Sequence, residues 1–235
     1  MEQWQKRTVA LIGEDNQQRL CNTKIVVLGL GGVGGSAAEA LVRAGVGHLM
    51  LVDKDCFDET NINRQLLATT ETIGKSKPSA AKERFIKINP KVDIICEEQF
   101  YLPDNSDFVF DFKPDYIIDA IDNVTAKLHL AKHCTEYGIP LISCLGTGNR
   151  LDPSKLRTGD ISQTAGFGCP LARVIRRELK KLGVPKLEVV FSEEIPRKIV
   201  TDSEMGSHSP ASIAFVPPSA GYLMAAVVVR NILGL

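Results

Sequence analysis

The chain has 235 residues, 44% of them hydrophobic, and its 28 Lys and Arg are balanced by 28 Asp and Glu. That length suffices for one large α/β domain, and zero net charge excludes a global field drawing the chain to nucleic acid or membrane, so any such partner must meet a local patch. The six cysteines (Cys21, Cys56, Cys96, Cys134, Cys144, Cys169) form no C-x-x-C pair, which excludes a four-cysteine zinc knuckle; with no signal sequence at the N-terminus they predict a reducing, cytoplasmic setting with most thiols in the core.

Trp4 to Leu20 scatters apolar residues among charges and predicts one or two short helices ahead of the main fold. Arg7 in this segment reads, by itself, as a solvated surface charge. Lys24 to Gly34, KIVVLGLGGVG, then joins an apolar run to Gly29-x-Gly31-x-x-Gly34 and continues into SAAEALVRA. This predicts a buried strand, a tight glycine turn and a helix from Ser36 to Ala44 ended by Gly45. Without a Cβ, the N–H groups of Gly31 and Gly32 can reach a phosphate lying on the helix N-terminus, where the dipole is positive. The motif does not say which nucleotide.

HLMLVD is a second buried strand, closing on Asp53, 19 residues beyond Gly34. That acid is either the carboxylate that accepts from ribose hydroxyls or a simple strand cap. The polar segment that follows holds Asp55, Asn61, Asn63, Arg64 and Gln65, and Gly74-Lys75-Ser76-Lys77-Pro78 leads into a helix from Ser79 to Ile88. Cations and amides at the carboxyl edge of a sheet do not suit a hydride-transfer site.

Together, Gly29 to Gly34, Asp53, Asn61 to Gln65, Gly74 to Pro78 and Ile118-Asp-Ala-Ile-Asp-Asn123 resemble the ThiF/MoeB/HesA superfamily of ubiquitin-activating-like adenylating enzymes. The resemblance implies ATP as substrate, with Gly29, Gly31, Gly32, Gly34, Asp53, Asp55, Asn61, Asn63, Arg64, Gln65, Lys77 and Asp122 around it. Adenylation puts charge on the leaving pyrophosphate, which preorganised cations stabilise. By resemblance Arg64 and Lys77 supply them and Asp122 holds Mg²⁺, with Asp119 the weaker candidate for that metal. The superfamily also implies a homodimer in which Arg7 reaches the partner's phosphates, a role suited to a permanently charged planar fork.

Further on, a strand is predicted from Asp115 to Ile121, a helix from Thr125 to Tyr137 and a strand from Pro140 to Leu145. Gly146, Thr147 and Gly148 either line the substrate pocket or form a plain loop. The superfamily's carrier-protein activators usually bind zinc through two C-x-x-C pairs after this region, and those pairs are absent. Instead, DISQT, CPLARVIRREL, a strand ending in FSEE and the closing SIAFVPP resemble the tRNA threonylcarbamoyladenosine dehydratase branch across nearly the whole chain. That branch implies ATP-dependent cyclisation of the modified adenosine of tRNA; the alternative is activation of a ubiquitin-like sulfur-carrier protein at its C-terminal carboxylate.

The predicted helix Leu171 to Lys181 opens a run in which Arg173, Arg176, Arg177, Lys180, Lys181 and Lys186 face one acid, Glu178. Such a run is either a solvated face or the local patch that meets a tRNA backbone. Cys169, before Pro170 and near a helix start, is either a reactive thiol or an inert loop residue. Arg197 to Ser209 reads as a mobile loop, either one that orders on tRNA or an ordinary surface loop. The uncharged run after Ala211 is broken by Pro217-Pro218 and predicts a strand from Ser212 to Val216 and a buried helix from Ser219 to Leu233, not a membrane span.

The fold expected is α/β: a doubly wound, mostly parallel sheet with a Rossmann-like nucleotide-binding βα turn and a C-terminal strand-helix extension. Residues 1–235 are expected to form a single adenylating domain, with an N-terminal helical segment (1–23), a nucleotide-binding core (24–150) and a substrate-side section (151–235). The partners expected are tRNA carrying threonylcarbamoyladenosine, a second copy of the chain and, as a further candidate, a cysteine desulfurase with its sulfur acceptor.

Overall fold

The computed structural model describes residues 2–198 and 210–235. Two N-terminal helices, α1 (Lys6–Ile12) and α2 (Glu14–Cys21), precede the alternation β1 (Lys24–Leu28), α3 (Gly34–Ala44), β2 (His48–Val52), α4 (Lys77–Ile88), β3 (Asp93–Glu97), α5 (Asp107–Asp111), β4 (Tyr116–Asp119), α6 (Val124–Tyr137) and β5 (Leu141–Cys144). The second part adds β6 (Leu156–Asp160), α7 (Pro170–Lys181), β7 (Glu188–Ser192) and α8 (Val216–Leu233). All seven strands form one sheet in the order β3-β2-β1-β4-β5-β7-β6. Every pairing is parallel except that of β6 with β7.

The period of two in β1 divides the core. Ile25 and Val27 face the layer of α3, α4 and α8, while Val26 and Leu28 face α5 and α6. All four are fully buried, and each contributes about 1.5–3 kcal/mol of apolar burial. A third cluster packs α7 against α6 and β7 on the same side as α5. The order of strand addition reverses between the parallel neighbours β1 and β4, so the connections leaving these two strands part in opposite directions and open a crevice at the carboxyl edge of the sheet.

The helices expected from periodicity form with earlier starts, α3 at Gly34, α8 at Val216 and α4 at Lys77, the last because Ser76 accepts from the N–H of Ser79 and Pro78 fits the first turn. Two expectations need correction. Ser212 to Val216 is not a strand: the segment is irregular, and Val216 already belongs to α8, whose first turn accommodates Pro217 and Pro218. Proline is tolerated there because those N–H groups have no intrahelical partner. Conversely, β6 was not expected, because LRTGD is polar; it is an edge strand whose Arg157 and Thr158 face solvent.

By length and composition α8 could cross a membrane, but half of it is buried. A Cβ on Gly221 would lie 2.2 Å from the carbonyl oxygen of Val33, so α8 is pressed against the start of α3 as a core helix. Of the expected loop Arg197–Ser209, only Arg197 and Lys198 fall among the described residues.

Candidate functional site

The crevice is a cavity of about 580 Å³ walled by the glycine turn, the exit of β2, the segment Cys56 to Gln65, Lys77, Gln99 to Tyr101 and the exit of β4. Each glycine of the turn has its own reason. Gly29 is left-handed (φ +85°), and a Cβ there would lie 2.8 Å from Ala120 O. A Cβ on Gly34 would meet Gly29 O at 1.7 Å, so this residue lets α3 start against β1 and stands outside the cavity wall. Gly32 lines the cavity yet also packs on Arg64 O and Pro217. Gly31 alone opens fully onto the space, its nearest neighbour there being Gln65 Nε2 at 4.0 Å.

The carboxylate of Asp53 shapes this turn, accepting from the N–H of Leu30 at 2.7 Å and of Asp55 at 2.9 Å. Lys77 is nearly buried, with Nζ 3.3 Å from Asp55 and 3.9 Å from Asp53. Arg64 donates through Nη1 to Thr60 O and Asn63 Oδ1, both at 2.8 Å, and has no carboxylate partner among the described residues. Asn63 lies outside the cavity: it donates to Ser212 O and holds Arg64 in place. Asn61 is on the wall and closes a short turn with Asp58. Gln65 is 6% exposed, and its Oε1 has no hydrogen-bond partner among the described residues, which costs about 1–3 kcal/mol unless a ligand satisfies it.

Asp122 is exposed on the cavity wall, and its carboxylate forms no ion pair or hydrogen bond among the described residues. A hard divalent ion bridging to phosphate oxygens needs few protein carboxylates, so this oxygen pair fits Mg²⁺ although no cluster of three ligating side chains occurs among the described residues. Asp119 does not fit that role. It is completely buried and engaged by Lys127 Nζ (2.9 Å), Ser143 Oγ (2.5 Å) and the N–H of Ile121 (3.1 Å).

Sequence reasoning missed Lys127, although a signal existed: it stands in helical register with the buried Leu130, Ala131 and Cys134. It also missed the wall formed by Gln99, Phe100 and Tyr101. Phe100 carries Lys54 Nζ 4.1 Å above its ring, and the Tyr101 hydroxyl shares a 2.7 Å hydrogen bond with His129 Nδ1. Burial pushes the Tyr101 phenol pKa up, so it stays protonated.

The other candidates lie elsewhere. Arg7 is exposed on α1 and takes no part in the cavity wall. Cys169 caps α7, its sulfur accepting from the N–H of Ala172 at 3.5 Å, and with Arg173 and Arg176 it borders a small cavity of about 150 Å³. Arg176 is tied inward to Thr164, and Glu178 pairs with both Arg177 and Lys181. Arg173 and Lys180 remain exposed without an ion pair among the described residues.

The chain is similar to known proteins over most of its length. The tRNA threonylcarbamoyladenosine dehydratase of Bacillus subtilis (strain 168) is 42% identical over 97% of this chain and 93% of its own length. The enzyme of that name from Escherichia coli (strain K12) is 37% identical over 81% of this chain and 75% of its own. A crystal structure of the E. coli dehydratase in complex with ATP superposes with a TM-score of 0.87 at 30% identity, covering all of this chain and 96% of that one. The ThiF family profile matches residues 5–234, and the chain belongs to the ThiF family.

Proposed function

We propose that this chain is an ATP-dependent tRNA threonylcarbamoyladenosine dehydratase. The observation that carries the reading is the convergence of Gly31, Arg64, Lys77 and Asp122 on one cavity, in a chain related over nearly its whole length to a dehydratase of that name. ATP lies with its phosphates on the Gly31 turn and its ribose toward Asp53. A threonyl carboxylate oxygen attacks the α-phosphorus, and the bond to the β-phosphate oxygen breaks. Arg64 and Lys77 stabilise the charge that grows on the departing pyrophosphate. An atom of the neighbouring carbamoyl group then displaces AMP, closing a ring with net loss of water. Because nucleophile and activated carbon are tethered, no enzyme nucleophile is required.

Charge balance favours two further components. The cavity wall carries three cations, Lys54, Arg64 and Lys77, against four carboxylates, Asp53, Asp55, Asp58 and Asp122. A triphosphate needs more positive charge than this wall supplies. Asp122 would hold Mg²⁺, which would supply part of it through electrostatic stabilisation of the phosphate oxygens. Arg7 of a second copy adds one further positive charge in a homodimer, being exposed and outside its own cavity.

Residues 1–235 act as one adenylating domain in the cytoplasm, the exposed face of α7 meets the tRNA backbone, and a sulfur-acceptor system is a candidate partner. The deciding experiment is pyrophosphate release with tRNA carrying the modified adenosine, read with a nucleoside mass spectrum for loss of one water. Stimulation by a small sulfur-carrier protein in place of tRNA would favour the alternative, activation of such a carrier at its C-terminal carboxylate.

A further inference from the structure

We propose that Asp119, held in place by Lys127, is a positioning residue for adenylation, acting on the loop that presents Asp122; the inference rests on the adenylation reading above. The Lys127 side chain is fully buried, and its ammonium spends all three protons: on Asp119 Oδ2 (2.9 Å), Ser143 Oγ (3.0 Å) and Cys144 O (2.8 Å). Asp119 Oδ2 also accepts from Ser143, which leaves Oδ1 to accept from the N–H of Ile121. Ile121 immediately precedes Asp122.

On the far side of Asp122 the chain is fixed again. Asn123 caps α6 by accepting from Ala126 N–H through its side chain and from Lys127 N–H through its carbonyl. Asp122 is therefore held between two anchored residues while its own carboxylate stays free toward the cavity. Lys127 forms one anchor through its side chain and helps form the other through its backbone.

Stability alone does not account for an ammonium and a carboxylate at this depth. An ion pair taken wholly out of water is worth no more than a well-packed apolar pair of similar volume, and the neighbouring positions of α6, Ala126, Leu130 and Ala131, are apolar. What the pair provides and apolar side chains cannot is direction. Asp119, locked by Lys127 and Ser143, aims one oxygen at one N–H, fixing where the next side chain presents its carboxylate. The same ammonium also binds the exit of β5 to that of β4, so the two neighbouring strand ends cannot part.

Two double variants separate aim from charge. Lys127→Met with Asp119→Asn removes both charges but keeps an acceptor for Ile121 N–H, whereas Lys127→Met with Asp119→Leu removes the acceptor as well. The first is expected to release pyrophosphate within about tenfold of wild type, and the second about 100-fold more slowly, the loss typical of a small misplacement. ATP affinity by calorimetry should stay within about threefold in both, because the glycine turn is untouched. Ile121 amide exchange should accelerate only in the leucine variant.

Equal turnover and equal exchange in the two variants, whether wild-type or impaired, overturn the proposal. Should the leucine variant not fold, exchange in the wild type decides: Ile121 protected as well as β4 supports the anchor, and rapid exchange removes it. A wild-type protein that released no pyrophosphate would defeat the adenylation reading and leave the Ile121 comparison standing.

Discussion

A Cβ built on Gly34 falls 1.7 Å from the carbonyl oxygen of Gly29. Strand and helix therefore touch backbone to backbone at the third glycine of the turn, where no side chain has room. Gly34→Ala is expected to destabilise the protein by about 3 kcal/mol or more, since backbone cannot move aside as a flexible side chain does. Gly31→Ala meets nothing closer than 4.0 Å, so its stability should change by less than about 1 kcal/mol while ATP affinity falls about tenfold as the new methyl group blocks the backbone N–H groups. Thermal unfolding and calorimetry on the two variants check the contrast.

Arg64→Ala and Asp122→Ala should each cut pyrophosphate release by at least about 100-fold with an unchanged circular dichroism spectrum. Arg64→Lys should not restore it. Nη1 is anchored by Thr60 and Asn63, and a lysine has no second nitrogen to offer the phosphate once so held. Undiminished AMP formation in either alanine variant would mean the phosphate roles are misassigned.

Arg173→Glu and Lys180→Glu should weaken tRNA binding about uniformly across tRNA sequences and lower the salt slope by about one for each phosphate no longer neutralised. ATP affinity should not move, because neither residue lines the nucleotide cavity. Filter binding at several salt concentrations reads both quantities.

Cys169→Ala should keep most activity, as cyclisation needs no thioester. The thiol does cap α7, weakly, at 3.5 Å. Cys169→Asp is therefore expected to stabilise the protein by about 0.5–1 kcal/mol, a carboxylate being the better cap and favourable to the dipole. Loss of the cyclic nucleoside in the alanine variant with continued pyrophosphate release would refute an inert Cys169.

Burial pushes the thiols of Cys134 and Cys144 up to about 12. Above the ordinary thiol range the unfolded chain has lost these protons while the folded chain keeps them. This contribution to stability is thus complete below about pH 9 and declines as pH rises toward 12, by up to about 1.4 kcal/mol per pH unit for each thiol. Denaturant unfolding between pH 8 and 11 should show the decline, and Cys134→Ala with Cys144→Ala should flatten it. In native protein a thiol reagent should reach the exposed Cys21 and Cys56 and miss these two.

The amino-acid sequence by itself determined β1, its glycine turn and α3, the strand ending at Asp53, and the residues Arg64, Lys77 and Asp122 that share the cavity wall. The elements are local signals, a period of two or 3.6 and a glycine turn between strand and helix, whereas Arg64, Lys77 and Asp122 are singled out by the resemblance to the adenylating superfamily. Only the tertiary structure decided what depends on partners far along the chain. Asn63 turns from the cavity to Ser212, 149 residues away; Asp119 is claimed by Lys127 and Ser143; LRTGD becomes a strand because β7 offers it an edge; and SIAF stays irregular ahead of the two prolines of α8. Whether a polar side chain faces a ligand or a neighbour is set by which donors and acceptors the folded chain brings within about 3 Å of it, and those contacts form only when strands distant in sequence close into one sheet.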